Sequence, residues 1–162
     1  AFAAYDSCLQ WKDDNVMALN NYAYYLSEKG VDLHKAESMS YKTIKAEPNN
    51  GTYLDTYAWI LFMEERYADA KTYIDQALKN RDSTVDNSTV LEHAGDIYYM
   101  NGMADESVDF WKKAYTGENQ TEVLAWKIKN RQYITEEELK KRNAPKQKPA
   151  ATKKSVRKGK KK

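Results

Sequence analysis

The chain of 162 residues carries 26 Lys and Arg against 24 Asp and Glu, a net charge of +2 that conceals an uneven distribution. Nine basic residues and no acidic one fall between Ala144 and Lys162, which leaves 17 basic against 24 acidic groups, a net of −7, over residues 1–143. The longest apolar run, Tyr57 to Met63, is far shorter than the roughly 18 residues that span a bilayer, and one cysteine, Cys8, makes neither an internal disulfide nor a thiolate cluster.

Taken in chain order, residues 1–14 read as the second helix of a truncated repeat. Cys8 and Leu9 lie 35 residues before Thr43 and Ile44, so they stand in the register of a unit whose first half is missing. The chain is therefore expected to open within a longer array, with an exposed first edge that pairs with upstream helices or self-associates. Cys8 shares the register of Thr43, Ala77 and Ala114 and reads as a small packing residue, not a nucleophile.

Residues 15–48 make the first full unit. Ala36, Thr43, Ile44 and Pro48 recur as Ala70, Ala77, Leu78 and Asp82, each 34 residues on. Residues 49–87 make the second unit, and residues 88–119 the third. Here Leu54, Ala58, Ala70 and Ala77 recur as Leu91, Gly95, Ser107 and Ala114, each 37 residues on, so three extra residues fit the polar stretch Arg81 to Asn87.

Each unit holds two helices. Leu54, Tyr57, Ala58 and Leu61 share one helix face, as do Leu91, Ala94, Gly95 and Tyr98. Ala70, Tyr73, Ile74, Ala77 and Leu78 form a second face. Asn50 and Ser88 are expected N-caps, and no alternating β-branched run predicts a strand. Small residues at Ala23, Ala58 and Gly95 on first helices, and at Ala36, Ala70 and Ser107 on second helices, mark close helix crossings. The run Tyr57 to Met63 is apolar on nearly all sides and is expected between neighbouring helices. Residues 120–143 follow as a capping helix, apolar at Val123, Leu124, Trp126 and Ile128, and a short helix opened by a Thr135/Glu138 capping box. Residues 144–162 combine two prolines with Lys153, Lys154, Arg157, Lys158, Lys160, Lys161 and Lys162 and lack aromatics, so a disordered basic arm is expected.

A 34-residue period, two helices per unit, small residues at the crossings and Pro48 closing a unit together resemble the tetratricopeptide repeat (TPR) family. The resemblance implies an all-α fold: a right-handed α-solenoid of stacked antiparallel helix pairs, three full repeats preceded by half a repeat, with a C-terminal capping helix. It also implies that first-helix residues line a concave groove. Carried over by position, the groove set is Asn20, Asn21 and Tyr24, then Asp55, Trp59 and Phe62, then Glu92, His93, Asp96 and Tyr99. The alternative reading of Trp59 and Phe62 is as core residues packed against the preceding repeat.

The family's clamp for a C-terminal carboxylate uses Lys, Asn and Arg side chains. The matching positions here are Asn20, Tyr24, Thr56, Thr89 and His93, which lack those cations. An acidic, aromatic groove instead implies a protein or peptide partner with basic and apolar residues, held by carboxylates and cation–π contacts. No nucleophile with its base and no phosphate loop occurs, and His34 and His93 share no ligand spacing, so neither an enzyme nor a metal or other cofactor is expected. The alternative reading is binding to nucleic acid or an anionic surface, through the tail only.

Overall fold

The computed structural model describes residues 15–146, and they form eight α-helices and no strand. These are α1 (Val16–Lys29), α2 (Leu33–Ala46), α3 (Gly51–Met63), α4 (Tyr67–Lys79), α5 (Ser88–Met100), α6 (Ala104–Ala114), α7 (Glu122–Asn130) and α8 (Glu136–Asn143). The readings of residues 1–14, with Cys8, and of the basic arm from residue 147 onward lie outside the described residues.

Neighbouring helices pack as pairs, α1 on α2, α3 on α4 and α5 on α6. The pairs then stack, with α2 against α3, α4 against α5, and α1, α3 and α5 meeting one another in turn. This is an α-solenoid closed at its C-terminal end by α7, which packs on α6. No helix among the described residues is long and apolar enough to cross a membrane.

Local chemistry sets the helix ends. Asn15 Oδ1 accepts from the Ala18 amide at 3.0 Å, Asn50 Oδ1 from the Tyr53 amide at 3.2 Å, and Thr135 with Glu138 forms the complete capping box. Gly30 stops α1 at φ +65°, a left-handed conformation that a side chain disfavours. Ser88 is a correction to the expected caps. It lies inside α5, and its amide donates to Asp86 Oδ1 at 2.9 Å, because the polar loop supplies its own acceptors. The same loop folds on Asp82 Oδ1, which takes both the amide and the hydroxyl of Thr84.

The close crossings fall where the small residues predict them. Ala23, Ala36, Ala58, Ala70 and Ser107 are fully buried. At Gly95 a Cβ would lie 2.3 Å from Trp111 Cδ1, so the indole of α6 occupies the volume that any side chain would need. Helix α3 is buried from Tyr53 through Ala58 and again from Ile60 through Phe62, the sandwiched helix that the run Tyr57 to Met63 predicts.

Candidate functional site

A recess of about 720 Å³ opens among the first helices of the pairs. Its walls come from the C-terminal half of α1, from α3 and α5, from α7, and from the segment Tyr133 to Lys140. Five residues of the expected groove set line it: Tyr24, Trp59, Glu92, His93 and Asp96. The other five do not. Asn20 is buried, Asn21 is exposed beyond the recess, Phe62 belongs to the core cluster, and Tyr99 packs beside Trp111 and Val108. Asp55 lies beneath the surface, where it holds His93.

The floor is an aromatic stack. The His93 ring lies 4.0 Å from the Trp59 ring at 15°, and Phe62 lies 4.7 Å from Trp59 at 12°. Both are near-parallel contacts, so the chain itself supplies the indole with stacking partners. His93 Nδ1 is 2.9 Å from Asp55 Oδ1, and both side chains are under a tenth exposed. Burial works against an imidazolium here, but Asp55, then Asp96 and Glu28, outweigh it and hold His93 above its ordinary value. A charged imidazole stacked on Trp59 is itself a cation–π contact.

Lys127 of α7 supplies an internal cation. Its Nζ donates to Asp96 Oδ1 at 2.8 Å and to Glu92 Oε1 at 3.2 Å, and its side chain is 4% exposed. The same ammonium sits 5.8 Å from the Trp111 ring centroid and 5.3 Å from that of Tyr133. Asp96 Oδ1 also accepts from Trp111 Nε1 at 3.0 Å. Burial pushes the Asp96 carboxyl up, while the Lys127 ammonium pulls it down.

Sequence reasoning missed Lys127, which stands outside the apolar set Val123, Leu124, Trp126 and Ile128 expected for α7. The available signal was its place three residues after Leu124, on the face that α7 buries. Tyr133 was missed as well. It meets Phe62 edge-on at 5.7 Å and brings the C-terminal segment onto α3. Thus the groove carboxylates expected to meet a partner's cations already hold His93 and Lys127.

What the recess leaves open is Tyr24, Met63 and Tyr133 on its walls, with Glu28, Glu136 and Glu137 at its rim. Burial, followed by Glu28, pushes the Tyr24 phenol up. The rim acids of α8 sit in exposed i,i+4 pairs with Lys140 and Lys141, which water and salt screen. The Trp59 indole nitrogen is buried and meets no acceptor among the described residues.

No protein-family model matches the chain. A TPR repeat-containing protein of Pseudomonas aeruginosa is 35% identical over 66 residues, which cover 41% of this chain. The match spans only 11% of that relative's length. Among solved structures, the first TPR domain of human RPAP3 superposes with a TM-score of 0.61 at 13% identity, covering 72% of this chain and 88% of that one. The N-terminal domain of the stress-induced protein STI-1 of Caenorhabditis elegans superposes with a TM-score of 0.55 at 19% identity, covering 73% of this chain and 94% of that one.

Proposed function

From the premise of a tetratricopeptide-repeat fold, we propose that this chain is a non-catalytic interaction module whose concave recess binds a short segment of a partner protein. The observation that carries this reading is the recess itself, about 720 Å³, with Tyr24, Met63 and Tyr133 on its walls and the Glu28 carboxylate at its rim. That volume lies within the ~300–1,000 Å³ of ordinary ligand sites. It holds less than two turns of a helix roughly 10 Å across, so a few residues of a partner fill it.

The partner's apolar residues bind the aromatic wall. Its basic residue meets Glu28 and the α8 rim, since Asp55, Asp96 and the Trp59 face are engaged within the chain. Fold alone selects no partner, because recognition belongs to the side chains that the scaffold presents.

The test selects peptides from a random library on the full chain and titrates the best of them calorimetrically. Tyr24→Ala/Glu28→Lys is expected to weaken binding at least about tenfold, about 1.4 kcal/mol. Lys42→Glu on α2, outside the recess, is expected to leave it unchanged. Equal affinity for all three proteins would sink the groove reading.

A further inference from the structure

A second cluster lies outside the groove, at the seam between the first two helix pairs. His34 and Glu37 stand three apart in the first turns of α2 and so share a face, while Glu64 caps the C-terminus of α3. One donor atom from each of the three lies within 4.8 Å of the others. From this geometry we propose that His34, Glu37 and Glu64 bind a divalent transition-metal ion, zinc being the best match, and that the ion ties α2 to the turn after α3.

The donor set itself favours such an ion. One imidazole with two carboxylates suits zinc and its first-row neighbours rather than calcium or magnesium, which take all-oxygen shells. Zinc ligands lie about 2.0–2.2 Å from the metal, so donors close to ~3.5 Å of one another around it. Side-chain rotation of about 1 Å covers the difference. Three protein ligands leave a further position for water.

A separate observation favours a cation here. Glu64 Oε1 is buried and has no hydrogen-bond donor among the described residues. Burying a carboxylate oxygen without a partner costs free energy, and a bound cation removes that cost. The Glu64 and Glu37 carboxyls also lie within hydrogen-bonding reach of each other, close enough for both to ligate one ion. Arg66 Nη1 donates to Glu37 Oε1 at 2.8 Å and its other nitrogens to Asp69, so its guanidinium acts on Glu64 through space without a hydrogen bond to Glu64 Oε1. The ligands come from two repeats, 27 residues apart between Glu37 and Glu64, which is why spacing within one helix does not reveal them.

The experiment titrates zinc chloride into the full chain by calorimetry, with the visible absorption of bound cobalt(II) as a second readout. The expected result is one ion per chain, with His34→Ala and Glu64→Gln each weakening binding by about tenfold or more. Glu65→Gln, on the neighbouring exposed residue, is expected to bind as the wild type does. Zinc should also raise the Tm of the wild type and leave that of the two variants unmoved, which separates ligand loss from misfolding. The proposal is overturned if the double variant His34→Ala/Glu64→Gln keeps wild-type stoichiometry and affinity, if cobalt shows a thiolate charge-transfer band from Cys8, or if the wild type fails to saturate below millimolar zinc.

Discussion

Lys127 Nζ stands 2.8 Å from Asp96 Oδ1 with both side chains 4% exposed, so the closing helix α7 is fastened to α5 by an ion pair inside the solenoid. Removing one member leaves the other charge buried and unpaired. Lys127→Met is therefore expected to cost about 3–5 kcal/mol in urea unfolding. Adding Asp96→Asn removes both charges while keeping an oxygen for Trp111 Nε1, and most of the loss should return. If the double variant is as unstable as the single, aliphatic packing and not the charge holds α7 in place.

The His93–Asp55 pair gives stability a pH dependence of definite sign. The folded value of His93 lies above its ordinary 6.5, because the Asp55, Asp96 and Glu28 carboxylates outweigh burial. The native state thus binds the proton more tightly than the unfolded chain does. This contribution is fully present below pH 6.5 and is lost as pH rises through the folded value. Urea midpoints measured from pH 6 to pH 9 should fall for the wild type and stay flatter for His93→Gln. Parallel slopes in the two proteins would assign the pH dependence to other groups.

The repeat architecture was legible because packing repeats with the sequence. Ala23 and Ala58, and Ala36 and Ala70, fill equivalent crossings, and a period of 34 to 35 residues carries that constraint from one unit to the next. Groove chemistry was less legible because it depends on residues outside the period. Lys127 and Tyr133 follow the last repeat, yet they reach Asp96 and Phe62 and change what Trp59, Glu92 and Asp96 can offer a partner. Position in the repeat identified Asp55 and His93 as neighbours of the groove. It did not predict that they would pair with each other across 38 residues.

Gly95 tests the packing argument directly. Alanine favours a helix over glycine by about 1 kcal/mol, which alone would make Gly95→Ala stabilising. The new Cβ, however, would lie 2.3 Å from Trp111 Cδ1 and 2.4 Å from its Nε1. Trp111 is fully buried and cannot withdraw without losing Asp96. Overpacking of this kind costs ~1–3 kcal/mol, so a net loss of Tm is expected together with weaker near-ultraviolet dichroism from the displaced indole. A raised Tm would mean that α5 and α6 separate more readily than their packing suggests.

Tyr133 decides whether the C-terminal segment is a fixed wall of the recess. Its ring meets Phe62 edge-on at 5.7 Å and lies 5.3 Å from Lys127 Nζ, while neighbouring Ile134 is 2% exposed. Tyr133 itself is half-buried, so Tyr133→Ala is expected to cost about 2 kcal/mol, less than the ~3–5 kcal/mol of a fully buried aromatic. The loss should be local, because Ile134 and Leu139 of the same segment stay buried. Hydrogen exchange should therefore quicken over residues 122–143 and remain unchanged in α1 to α4. A uniform rise along the chain would instead make the segment part of one cooperative unit with the repeats, and the recess would then form only when the whole solenoid folds.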